Sequence, residues 1–248
     1  MTSTLVLILS ISFIASLVRS TLGFGESLVA VPLLLFFLSP QIAVPLSVML
    51  SVVIALVVVI QDFSKIHWKR AVYLVIYAFF GIPFGLLILV YGNETLIKTG
   101  LGILIIVYAL YSLFGKSGFC LRASENPKFI LFLCGFLSGV LGGAYGLNGP
   151  PLVVYGDFKK WTAEHFRATL QAYFLPASLL GLAGFYLKGL VTVEVTHYFL
   201  WALVSAVPAI FLGRYLNRKL RNRPFFKYVY WGLFVIGGAL VMNALYFY

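Results

Sequence analysis

The chain has 248 residues, of which 62% are hydrophobic and 10% charged, with 18 Lys/Arg against 7 Asp/Glu for a formal charge of +11. Its mean hydropathy is +1.02. A soluble domain carries roughly a quarter of its residues as charges, so this composition excludes an ordinary soluble enzyme. It also excludes a disordered chain, which needs low hydrophobicity, and a disulfide scaffold, since only Cys120 and Cys134 are present. A polytopic membrane protein remains, with the lipid bilayer as its first partner.

The first apolar stretch, 4–38, is interrupted by the string from Arg19 to Glu26, which holds Gly23, Phe24 and Gly25. It lacks a basic segment before its apolar run, because the first positive charge is Arg19. Residues 4–18 therefore read as retained rather than as a cleaved signal. Three clean stretches follow at 41–61, 71–91 and 95–114, each close to the roughly 20 residues a helix needs to cross a bilayer. The second broken stretch, 128–156, carries the string from Gly142 to Pro151. Three further clean stretches lie at 168–187, 195–213 and 225–247.

The charges orient these segments. Fifteen of the 18 Lys/Arg fall in four connections: Lys65, Lys69 and Arg70; Lys116, Arg122 and Lys128; Lys159, Lys160 and Arg167; and Arg214, Arg218, Lys219, Arg221, Arg223 and Lys227. The connections at 39–41, 92–94 and 188–194 hold only Lys188, with Lys98 just inside the next helix. Positive-inside bias puts the first group in the cytoplasm and the second outside, with both termini outside. The excess charge is thus an orientation signal, not a nucleic-acid surface, and the cluster 214–227 reads as an anchor on anionic lipid.

Connections 115–128 and 157–167 then share a side, so 128–156 enters and leaves on that side. The expected fold is an all-α polytopic membrane protein of two inverted repeats. Each repeat is a broken-helix hairpin, two short helices meeting near mid-membrane, followed by three transmembrane helices. The first repeat spans 1–115, a cytoplasmic linker 116–127, and the second repeat 128–248. Gly23-Phe24-Gly25 falls opposite Gly146-Leu147-Asn148, and Gly81-Ile82-Pro83 opposite Ala206-Val207-Pro208. The competing reading makes each broken stretch one tilted, kinked crossing.

Paired broken helices in inverted repeats point to a transporter with its site at the repeat interface. Half-helix N-termini offer free N–H groups and a partial positive charge, which favour anions. Gly23, Gly25, Gly146 and Gly149 let a ligand approach the backbone closely. Arg19 is the single Arg or Lys in the first 60 residues; it either binds an oxyanion bidentately or snorkels to an interface or pairs with Glu26. Glu26 either carries a proton or neutralises Arg19 or caps the half-helix that follows. Tyr145 and Asn148 are the polar groups of the second break, and Asn148, which tolerates a left-handed conformation, either contacts ligand or shapes the turn. Ser47, Ser51 and Gln171 either line the cavity or, for the hydroxyls, bond their own helix. His67, His165 and His197 are scattered over connections without carboxylate or cysteine at ligand spacing, so no metal site and no cofactor is expected. Asn243 reads as a helix–helix hydrogen bond.

The string RSTLGFGESLVAVPLLL, Arg19 to Leu35, and the string GFLSGVLGGAYGLNGPPLVVY, Gly135 to Tyr155, resemble the two glycine-rich motifs of the sulfite exporter TauE/SafE family of membrane transporters. Eight apolar stretches in this length extend the resemblance over essentially the whole chain. Two positions depart from the family pattern: Glu26 stands where a small or apolar residue is usual, and Asn148 where glycine is usual. The resemblance implies movement of small sulfur-containing anions, such as sulfite or short organosulfonates, coupled to a proton or ion gradient.

The expected function is therefore a secondary transporter in the cell membrane, working by alternating access at the glycine-rich breaks. An anion channel is the alternative, and an intramembrane enzyme a more distant one. Enzymes of that kind need a nucleophile–base set or a metal-binding acidic pair, whereas the seven acids here are dispersed.

Overall fold

The computed structural model describes residues 2–114, 127–159, 161–219 and 224–246. The linker at 116–126, Lys160, and residues 220–223 of the basic connection lie outside the described residues. The order is α1 (Thr2–Leu22), α2 (Glu26–Leu34), α3 (Pro40–Asp62), α4 (Trp68–Tyr91), α5 (Glu94–Phe114), α6 (Pro127–Tyr145), α7 (Gly149–Phe158), α8 (Ala163–Leu187), α9 (Val193–Lys219) and α10 (Pro224–Tyr246), with one 3-10 turn at Phe63–Lys65. Eight of these helices are long and apolar enough to cross a bilayer: all but α2 and α7. In hydrocarbon every backbone N–H and C=O needs a partner, which makes the helix the form these runs take. Pro40 and Pro150 stand in the first turns of α3 and α7, where a missing N–H costs nothing.

Each broken stretch folds back as a hairpin. Gly213 of α9 packs on Leu17 and Ser20 of α1, and Asn217 donates to the carbonyl of Thr21, so α1 and α9 run parallel. Residue 36, just beyond α2, lies beside Met242, Asn243 and Tyr246 at the C-terminal end of α10, and Gln41 donates to the Leu89 carbonyl near the end of α4. The first hairpin thus returns to the end of the bundle that holds the α4–α5 connection. The second returns to the opposite end: α6 runs parallel to α4, and Trp161, just past α7, packs on His67 at the start of α4.

The hairpin arms differ from the expected pair of short helices. α1 has 21 residues and α6 has 19, whereas α2 has 9 and α7 has 10. The polar residues Arg19, Ser20 and Thr21 remain helical because they are buried among other helices. The breaks are confined to 23–25 and 146–148. Gly23 and Gly25 take φ of +89° and +96°, and Gly146 takes +68°, values that a Cβ penalises. At Gly23 a side chain would also meet Arg167, whose Cγ lies 2.9 Å from where Cβ would stand. Gly142 and Gly143, expected to interrupt the second stretch, are helical. Gly143 brings α6 against the backbone of α4 at Ile82 and Gly85.

Candidate functional site

The two breaks meet inside the bundle. Ser27 of α2 and Val48 of α3 lie against Gly146, and Phe24 and Phe174 lie against Gly149. Between them is a cavity of about 20 Å³ lined by the first turn of α2 (Gly25, Glu26, Ser27, Leu28), by Gly146 to Gly149, and by Arg19, Ser51 and Phe174. That volume admits about one water. The N-termini of α2 and α7 therefore open onto the same space. Neither N-cap residue bonds its first-turn N–H groups; α2 carries the acidic Glu26 in its first turn, whereas α7 has no acidic residue there and presents an unneutralised positive end.

Arg19 anchors the centre at 3% exposure. Its Nη1 donates to Ser51 Oγ and, at 3.4 Å, to Glu26 Oε2, while Nη2 donates to Gln171 Oε1 at 2.9 Å. The guanidinium lies 4.9 Å from the Phe174 ring centroid. Its buried Nε has no acceptor among the described residues. Gln171 passes the connection on, donating Nε2 to the Gly23 carbonyl at 2.7 Å. One glutamine thus ties α8 to both the guanidinium and the break between α1 and α2.

Glu26, at 1% exposure, accepts from Ser47 Oγ at 2.7 Å and from Ser27 Oγ at 3.0 Å. Ser51 lies 3.3 Å from Ser178 Oγ, so the network runs from α3 into α8. In the second break the Asn148 carbonyl accepts from Ser138, whose hydroxyl lies 2.8 Å from Tyr173. The Asn148 side chain rests over Gly142, where a Cβ would stand 1.8 Å from Oδ1.

The structure thus gathers Arg19, Gly23, Gly25, Glu26, Ser47, Gly146, Asn148, Gly149 and Gln171 around one centre. Tyr145 stands apart. Its hydroxyl is directed at Gly100 of α5, where a Cβ would meet it at 2.8 Å, because it is the last helical residue before the turn and points back along α6. Asn148 does not take the left-handed conformation; its φ is −78°, and Gly146 makes the turn instead. Sequence reasoning missed Ser27, Ser178 and Phe174. Ser27 follows Glu26 directly, which was a readable signal; Ser178 and Phe174 carried none, since they reach the site by packing of α8 across α3. The histidines are not all scattered, for the rings of His67 and His165 lie 4.6 Å apart. No group of three or more His, Cys, Asp or Glu comes together among the described residues.

Two back-folded hairpins and eight apolar helices define a polytopic membrane protein with a buried polar centre between its two breaks. Residues 8–240 match the sulfite exporter TauE/SafE family, and the chain belongs to that family. No curated protein and no solved structure matches the sequence.

Proposed function

We propose that the protein is a secondary transporter of a small sulfur-containing anion, sulfite or a short organosulfonate, which binds at Arg19 between the two breaks. One observation carries the reading: a buried guanidinium whose Nε has no acceptor among the described residues, in a cavity onto which two helix N-termini open. Backbone N–H groups and a positive helix end favour an oxyanion, and a guanidinium can grip one bidentately. The family, described as sulfite exporters, supports this substrate class.

Alternating access fits the layout. The cavity is small enough that an anion larger than water enters only if the surrounding helices separate. Gln171 and Ser178 of α8 meet Arg19 and Ser51 across the interface, so relative movement of the two halves remakes the site. The pairing of α1 with α9 and of α6 with α4 supports an inverted repeat, in which each hairpin packs on the counterpart helix of the other half. A gradient of protons or another ion drives the cycle.

Purified protein should be stabilised against heat by sulfite or methanesulfonate and not by chloride. At a hundred times Kd the gain is about 2.7 kcal/mol, a shift of several degrees in Tm. Equal shifts with all these salts, and no counterflow of sulfite in reconstituted vesicles, would remove the reading.

The orientation has a separate check. In a cysteine-free background, the exposed positions Ser64 and Val193 are replaced singly by cysteine. The positive-inside assignment expects Val193→Cys to react with an impermeant maleimide in intact cells and Ser64→Cys only after permeabilisation. The reverse pattern inverts the protein in the membrane.

A further inference from the structure

We infer that Glu26 is the resident counter-ion of Arg19, and that each monovalent oxyanion bound at the guanidinium brings one proton onto Glu26. The inference rests on the transport reading above and adds its coupling and the charge of its substrate.

The geometry of the pair leaves one edge of the guanidinium open to a second anion. Arg19 and Glu26 approach to 3.4 Å, beyond the 2.7–2.9 Å typical of a charge-assisted bond. Glu26 instead makes its shortest contact with Ser47, at 2.7 Å. The carboxylate meets Nη1, and Nε meets no acceptor among the described residues. The Nε–H shares an edge of the planar guanidinium with Nη2, so an incoming oxyanion can take Nε and Nη2 together, beside Gln171, while Glu26 stays on Nη1.

Charge decides what must accompany the anion. Arg19 and Glu26 sum to zero in a buried site. The positive end of α7 offsets only part of a monoanion added to that pair, and the remaining negative charge is costly away from water. Protonating Glu26 restores neutrality. A dianion leaves one negative charge even then, so the site favours anions of single charge.

The neutral carboxyl keeps its partners. Ser47 and Ser27 donate to the carboxylate, and either hydroxyl can turn to accept the new O–H. Around Glu26, α1 contributes Arg19 and α3 contributes Ser47 and Ser51. The second break brings Gly146 and Asn148 to the same cavity. From α8 come Gln171, bound to Arg19, and Arg167, whose stem packs on Gly23. Arg19 is thus the charged group in direct contact with Glu26, and Glu26 is the carboxylate of this cavity.

Methanesulfonate is the appropriate probe, because it stays a monoanion across the working range and any proton taken up belongs to the protein. Its binding to the purified full-length protein is measured by calorimetry in buffers of different ionisation enthalpy, between about pH 5.5 and 8. The expected result is uptake of up to one proton per anion, with Kd rising by up to about tenfold per pH unit as Glu26 ionises. Sulfate, a dianion, should bind at least about tenfold more weakly. Glu26→Gln should bind methanesulfonate with an affinity independent of pH. Methanesulfonate binding without proton uptake at any pH in the range, or an unchanged pH slope in Glu26→Gln, overturns the counter-ion role and leaves the transport reading standing. Failure of the unaltered protein to bind sulfite, methanesulfonate and sulfate alike overturns both. If Glu26→Gln does not fold, the proton count of the unaltered protein still decides.

Discussion

Replacing Arg19 with alanine should lower anion flux in reconstituted vesicles at least about a hundredfold. Two charge-assisted hydrogen bonds to an oxyanion contribute about 1.5 kcal/mol or more each, and about 2.7 kcal/mol corresponds to that factor. The variant also strips Glu26 of its positive partner in a buried site, which costs about 3–5 kcal/mol of stability. Loss of flux alone would therefore not separate function from folding. The double variant Arg19→Ala/Glu26→Gln removes the stranded charge, and it should recover thermal stability while flux stays absent. Arg19→Lys should not rescue transport, because an ammonium cannot reproduce the planar fork that also holds Gln171 and Ser51. Flux within about threefold of the unaltered protein in the stable double variant would remove Arg19 from the site.

The second large effect is structural and lies between α4 and α6. A Cβ at Gly85 would stand 2.0 Å from the Val140 carbonyl oxygen, and one at Gly81 would stand 2.2 Å from that of Phe136. From the other side, Gly139 faces the Ala78 carbonyl at 2.3 Å and Gly143 faces that of Ile82 at 2.4 Å. All four obstacles are backbone, so no rotamer change relieves them. The helices must move apart, and packing between membrane helices depends on this close approach. Gly85→Val should therefore cost about 3 kcal/mol or more and shift the protein from a single size-exclusion peak to aggregate. Gly232→Ala is the control. It is exposed on α10 with nothing within 4 Å of its Cβ position, and it should leave the peak unchanged. A monodisperse Gly85→Val with unaltered Tm would show that α4 and α6 do not touch in this way.

Much of this organisation could be read along the chain. The six clean stretches correspond to α3, α4, α5, α8, α9 and α10 with ends that differ by at most six residues, because a run of apolar residues long enough to cross lipid has the helix as its stable form. The breaks could also be read, since Gly23, Gly25 and Gly146 sit where a left-handed turn is needed. Their extent could not. Arg19 to Thr21 and Gly142 to Gly143 look like interruptions in one dimension, yet they are helical: Arg19 and Thr21 have buried polar partners, Gly142 lies under Asn148 and Gly143 against α4.

The site divides in the same way. Glycine content, the isolated Arg19 and the neighbouring Glu26 marked the first break from the sequence alone, because backbone strain and a charge among apolar residues are local properties. Which groups complete the centre is not local. Gln171 meets Arg19 across 152 positions and Ser178 meets Ser51 across 127, and nothing in their own helices distinguishes them from other polar residues. Tyr145 shows the converse, polar and beside the break yet turned toward α5. The sequence by itself determined a membrane-embedded helical chain, its crossings and the places where its backbone must bend. Only the tertiary structure decided which polar side chains face one another there, because that depends on how two hairpins and two long helices cross, and hydropathy carries no record of the crossing.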